Sequence, residues 1–164
     1  MTTAQLQALK TDITVTHANT VFQGLTLLQL WTGFDFANLA LYYNTAASPQ
    51  VDLWRPNVTR TEASKCIAAG EFMSMPVARQ NTWFAILQTE TIDATNTTVR
   101  QNFSDLFTNP NGSPTTLANL TAAAKKAASN LESLFSGAPV GGARVSEVYG
   151  QTLTVQDLVN AITV

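Results

Sequence analysis

The chain has 164 residues, 45% of them apolar, and only 12% charged, about half the charged share of an ordinary soluble domain. Nine basic against eleven acidic residues leave a net charge of −2. No basic cluster exceeds Lys125–Lys126, which disfavours sequence-independent nucleic-acid binding, where several phosphates must be neutralised together. One histidine and one cysteine exclude an internal disulfide framework and a zinc site of standard spacing.

The missing charge is replaced by Thr, Asn, Gln and Ser, threonine alone occurring twenty-four times. Charged groups are depleted at the centres of protein contacts because they are costly to desolvate. A hydroxyl- and amide-coated exterior therefore suits a subunit that copies of itself or other proteins cover. A monomer with a compositional bias is the plainer alternative. A chain of this length is expected to be one domain with a real core.

Thr3 is expected to cap a first short helix with Leu6, Leu9 and Ile13 facing inward. Residues 1–10 show no cationic start followed by an apolar run, so neither a signal peptide nor a membrane span is expected. Residues 14–20 turn polar and β-branched and read as extended or loop, with the single histidine, His17, facing solvent. Residues 21–31 are mostly apolar and fit a short helix or a strand equally. Asp35 or Thr32 then caps a helix through Phe36, Leu39, Ala40 and Tyr43, closed by Asn44 and followed by Pro49. Residues 48–58 carry two prolines and read as an ordered loop. Within it Trp54, followed by Arg55, is either an interface anchor, the usual use of these two residue types, or a tryptophan folded back on the core.

Thr59 and Glu62 form a capping box that opens a helix over 62–69, ended by Gly70. Cys66 lies in a small-residue apolar run and reads as a buried small hydrophobe. Pro76 suits the first turn of the next helix, whose core face is Val77, Trp83, Phe84, Ile86 and Leu87. A further helix starts within 93–98 and carries the stripe Val99, Phe103, Leu106 and Phe107. Residues 109–114 are the clearest turn. After them, Leu117, Leu120, Ala124, Ala127, Leu131, Leu134 and Phe135 recur at steps of three and four. That spacing predicts a spine helix over 115–137, stopped by Gly137 and Pro139.

Residues 138–142 read as a flexible joint, and 143–152 alternate weakly as an extended arm or edge strand. Thr154 and Asp157 cap a last short helix on Val155, Leu158, Val159 and Ile162. This tail is expected to reach a neighbouring subunit, although docking on its own domain explains it as simply. The candidate interface residues are Trp54, Arg55, Val145, Val148, Tyr149, Leu153, Leu158 and Ile162. The fold class is mainly α: a single helical domain of five to seven helices over 1–137, with an extended arm and short terminal helix over 138–164.

Motifs for chemistry are sparse. No pattern pairs His17 with Cys66 or a serine as a nucleophile, and Gly141–Gly142 is not followed by a phosphate-loop pattern. Eleven acids spread singly do not mark a catalytic pair. Neither an enzyme nor a bound cofactor or metal is expected, and the five Asn-x-Ser/Thr triplets follow from the abundance of those residues.

Several stretches resemble a family of small proteins from the virion-structure gene blocks of tailed bacteriophages. They are Leu6-x-x-Leu9-Lys10-x-Asp12-Ile13; Tyr42-Tyr43-Asn44 with Ala46-Ala47-Ser48-Pro49; and Leu53-Trp54-Arg55 running into Val58-Thr59. Val99-Arg100-Gln101-x-Phe103-Ser104-Asp105-Leu106-Phe107, Glu132-x-Leu134-Phe135 ahead of a glycine, and Gly150-Gln151-Thr152-Leu153-Thr154-Val155-Gln156-Asp157-Leu158 complete the set. The family carries Gly-rich or strand-like insertions after Thr61, where this chain is expected to have a compact small-residue helix. The resemblance implies a structural virion protein assembled in the host cytoplasm, and the helical build points to a head-to-tail connector, or neck adaptor. Such adaptors form a homo-oligomeric ring, commonly of about twelve, that contacts the portal protein and tail or neck proteins. They surround a channel whose mildly acidic wall lets DNA pass. A capsid decoration or cement protein, or another tail structural protein, is the alternative within the same class, and a small enzyme the alternative outside it.

Overall fold

A computed structural model describes residues 1–108 and 112–164, and the chain is mainly α with three small two-stranded sheets among them. It divides into two compact units that interleave in sequence. Unit 1 comprises 1–51, 127–138 and 146–164, and unit 2 comprises 52–126 and 139–145. Residues 138–164 are therefore shared between the units rather than set apart as an appendage.

Unit 1 opens with α1 (Thr3–Thr11), capped one residue earlier than expected, by Thr2 in a reciprocal box with Gln5. The helix runs directly into a single π turn, Asp12–Thr16. Residues 21–31 resolve into both of the structures their apolar pattern allowed. Strands β1 (Val21–Phe22) and β2 (Leu25–Thr26) form a hairpin, and α2 (Leu27–Thr32) follows from the Thr26–Gln29 capping box. The hairpin turns on Gln23 and Gly24, both at positive φ, as a two-residue loop of this twist requires. Helix α3 (Phe36–Asn44) starts from Asp35 as expected.

Unit 2 contains β3 (Asp52–Trp54), β4 (Val58–Thr59), α4 (Arg60–Lys65), α5 (Ala69–Ser74) and α6 (Val77–Ile86). Next come β5 (Thr91–Ile92), α7 (Thr97–Phe107), α8 (Pro114–Ala123) and β6 (Lys125–Ala127), whose last residue belongs to unit 1. The expected loop over 48–58 thus holds two strand segments. β4 pairs antiparallel with β5, and β3 pairs with β6. The Thr59–Glu62 box opens α4 as predicted, but α4 ends at Lys65 and Gly70 lies inside α5 instead of ending a helix. Of the turn expected over 109–114, residues 109–111 lie outside the described residues.

The predicted spine helix over 115–137 does not form. α8 stops at Ala123, Lys125–Ala127 become a strand, and α9 (Asn130–Leu134) starts afresh from a Ser129–Glu132 capping box. The helical apolar period is real but feeds two cores. Leu120 and Ala124 are buried in the unit 2 cluster with Leu117 packed against it, whereas Leu131 is buried in unit 1 with Leu134 and Phe135 against it. Ala127 between them is exposed.

Each unit has its own apolar centre. In unit 1, Leu9, Ile13, Leu27, Leu39 and Tyr43 meet Leu131, Val148, Leu153 and Leu158. In unit 2, Trp83 stands edge-on to Phe107 and Phe103, with ring centroids 5.4 and 6.0 Å away. Cys66 is buried there as predicted, and burial pushes its thiol above the ordinary value.

The C-terminal segment docks on its own chain. Within unit 2, Arg144 exchanges backbone hydrogen bonds with Asp52 and Trp54, both at 2.8 Å. Within unit 1, Glu147 donates its N–H to the Phe135 carbonyl. The Asn44 amide grips Leu153 at both ends, donating to its carbonyl at 2.9 Å and accepting its N–H at 2.7 Å. Buried Glu132 accepts the Gly150 N–H at 2.7 Å. The last helix, α10 (Val155–Ile162), then packs on α1 and α3.

Candidate functional site

The eight candidate interface residues fall into two groups. Trp54, Val148, Leu153 and Leu158 are buried in the chain's own cores and cannot meet a partner in this conformation. Arg55 and Tyr149 are half-buried, while Val145 and Ile162 are exposed. The weak alternation of 143–152 thus marks attachment to the chain's own units, not a free arm. A buried side chain and a partner-facing one leave the same apolar mark in a sequence.

What remains open is one side of α10. Leu158 and Ala161 face the unit 1 core, whereas Val155, Val159 and Ile162 stay 48%, 39% and 40% exposed. Their spacing of four and three residues places them in one stripe beside the buried pair. The helix therefore has an apolar arc wider than its own unit covers. The Thr154–Asp157 box fixes its start, and the N-terminal ammonium lies 3.7 Å from Asp157. Lys10 reaches the Ile162 carbonyl at 3.4 Å near its end. Unit 1 exposes further large apolar residues, including Val15, Val21 and Phe34. Sequence reasoning named Ile162 but missed Val155 and Val159 as surface residues, although all three share one helical period.

Unit 1 also buries a polar cluster. Asp12, in the π turn, accepts the Tyr43 hydroxyl at 2.6 Å and pairs with His17 Nδ1 at 2.7 Å. The histidine is half exposed, as expected of a loop residue, yet it has a partner five residues upstream that its sequence surroundings did not suggest. Burial, and then the Asp12 charge, push the Tyr43 phenol far above its ordinary value. With both oxygens of Asp12 occupied, the cluster ties the π turn to α3.

In unit 2, Trp54 has become a structural floor. Its indole N–H donates to the Val140 carbonyl at 2.7 Å. The Arg100 guanidinium and the Lys125 ammonium lie 4.8 and 4.9 Å from the ring centre. Arg55 turns away from it, donating to the Ala123 carbonyl and pairing with Glu62 at 2.9 Å. Beside Trp54 runs an open groove of about 300 Å³, lined by residues of α7 and α8 and by Val140 and Gly141. A second, more apolar cleft of about 220 Å³ lies by Ile86, Ile92 and Phe103.

Among the described residues no three His, Cys, Asp or Glu side chains gather to hold a metal, and no helix is long and apolar enough to cross a membrane. No protein-family model, no curated protein and no solved structure matches the chain.

Proposed function

We propose that this chain is a non-catalytic structural subunit that assembles by burying the open stripe of α10 against a neighbour. Following the resemblance in its sequence, we place it in a tailed-phage virion, as a head-to-tail connector that joins the portal to the tail through a ring of copies. The observation that carries the proposal is the half-covered apolar arc formed by Val155, Val159 and Ile162. The sparse charge of the chain supports it, since a surface of hydroxyls and amides loses less on leaving water than one of ions. Side-to-side contacts between unlike faces close a ring when their rotation permits, and each weak contact is multiplied by the symmetry.

Native mass spectrometry and sedimentation of the full chain, alone and with portal protein, test the proposal. The expected result is a closed oligomer, of about twelve copies for a neck ring. Val155→Asp with Val159→Asp should leave a folded monomer, because both side chains are exposed and neither fills the core. A chain that stays monomeric alone and with portal, or an oligomer indifferent to the double substitution, refutes this assembly. A trimer seated on capsid shells would replace the connector with a decoration protein. Removing 143–164 would be uninformative, because Ala143, Val148, Leu153 and Leu158 are core residues.

A further inference from the structure

The cleft of about 220 Å³ in unit 2 opens onto the core of that unit. Its apolar lining is Ile92 and Phe103, both buried core residues, with half-buried Ile86 and Val99 packed against the same core. The β4–β5 pairing Val58↔Ile92 anchors one wall, and α7 supplies another. The polar lining is Thr89, Thr91, Asp93 and Asn102. The Thr89 hydroxyl is spent on the Ile86 carbonyl. Asp93 Oδ1 accepts the Thr95 N–H at 2.9 Å and the Thr95 hydroxyl at 2.5 Å, which fixes the carboxylate. Among the described residues, Asp93 Oδ2, the Thr91 hydroxyl and the Asn102 carboxamide have no partner, and no cation lines the cleft. Arg79 lines an adjoining cleft that shares Ile86 and Asn102, and there it donates to the Leu106 carbonyl at 3.4 Å.

We propose that this cleft binds a small organic ammonium ion, a primary amine whose apolar body lies on the Ile86, Ile92, Val99 and Phe103 side chains and whose charge is held by Asp93. The charge of the ligand follows from the lining. A carboxylate oxygen without a donor, in a cleft without a cation, attracts a positive group and repels an anion. The shape of the charged group follows from the acceptors. A guanidinium fork needs both carboxylate oxygens, but Asp93 Oδ1 already serves Thr95 twice. An ammonium is a compact charge with diverging N–H donors, which suits Oδ2 together with the carboxamide oxygen of Asn102 and the hydroxyl of Thr91. The body is limited by size. A cleft of about 220 Å³ is smaller than most ligand pockets and takes one ring or a short chain. This site does not depend on the assembly surface, which belongs to unit 1.

Amide NMR spectra of the full chain, titrated with phenethylammonium chloride at neutral pH and constant ionic strength, test the site. Saturable shifts are expected at Thr91, Asp93, Val99 and Asn102. Phenethyl alcohol, which has the same body without the charge, and methylammonium, which has the charge without the body, should each bind more weakly. Asp93→Asn keeps the oxygen that accepts from Thr95 and should weaken phenethylammonium binding about fivefold, the worth of an exposed charge pair. Asp105→Asn, in the adjoining cleft, should leave binding unchanged. Val99→Thr makes the wall less apolar with every charge in place, and should also weaken it. The same spectra report whether each variant is folded. Absence of saturable shifts up to about 20 mM amine, equal binding by Asp93→Asn, or equal affinity for phenethyl alcohol overturns the proposal. Shifts of the same amides on raising the protein concentration, with no amine present, would overturn it too and give the cleft to a second copy of the chain.

Discussion

Replacing Tyr43 with phenylalanine removes one oxygen from unit 1 and should change both its stability and its response to alkali. The lost hydroxyl donates to Asp12 at 2.6 Å inside the core, where the carboxylate has no ready access to water. Depriving a buried charged acceptor of a donor costs about 2 kcal/mol, and the ring itself is retained. The pH dependence follows from the raised phenol. In the native state Tyr43 stays protonated above its ordinary value of 10, while in the unfolded chain it ionises there. The unfolded state then binds fewer protons, so stability is complete below pH 10 and falls as pH rises, by up to about 1.4 kcal/mol per unit. Phenylalanine has no proton to lose. Urea denaturation followed by circular dichroism, from about pH 8 to about pH 11, should show the variant weaker at neutral pH and the two proteins converging in alkali. Tyr42, also raised by burial and by Asp12, leaves a residual slope in both. Parallel stability curves, or no loss at neutral pH, would refute the account of the cluster.

Glu62 gives the opposite pH window: hydrogen bonds from Arg55 and then Thr59 lower its carboxyl from 4.5 to about 2, so its contribution is present above pH 4.5 and lost as pH falls toward 2. Glu62→Gln keeps the capping geometry and should flatten the acid limb of the stability curve by less than about 1 kcal/mol, because the pair is partly exposed and screened. Ser129→Ala removes the acceptor that starts α9 and should cost about 1 kcal/mol, read as a lower urea midpoint. Gly141→Ala places a Cβ 3.4 Å from the Trp54 ring at a φ of +60°, and should cost about 1 kcal/mol with a shift in tryptophan emission.

Local signals in the sequence proved legible where they act locally. The boxes Thr59-x-x-Glu62 and Thr154-x-x-Asp157 and the cap at Asp35 open helices at the expected places, and the helix expected to start within 93–98 is capped by Asn96, because a side chain satisfies backbone N–H groups two or three residues on. Ser129-x-x-Glu132 is the same signal, but it lay inside an apolar period that ran on across it. Periodicity records that residues are buried, not which core buries them, so one stripe serving two units looked like one helix. The strands were beyond local reasoning for a different reason. Trp54 and Lys125 belong to paired segments some seventy residues apart, and two- or three-residue strands exist only through such pairing. Likewise, nothing near Trp54 foretells that Val140 will accept its indole N–H.

The scarcity of charge acquires a different meaning in each unit. In unit 1 one cationic side chain, Lys10, accompanies five acids, and two of those acids, Asp12 and Glu132, are buried and hydrogen-bonded. A third, Asp157, is occupied at the start of α10. The open stripe of that helix is thus edged by amides and hydroxyls, Gln156, Asn160 and Thr163, which release water at little cost when a neighbour arrives. In unit 2 eight cations accompany six acids, and Arg55 pairs with Glu62 at 2.9 Å. An uncharged stripe of this kind is built for apolar contact. Neutralising Lys125 should therefore leave self-association intact, whereas charging Val155 and Val159 should abolish it. Both variants, read by sedimentation, separate a general change of charge from a change in the stripe itself; loss of association on Lys125→Met would mean that apolar burial on α10 is not what holds the copies together.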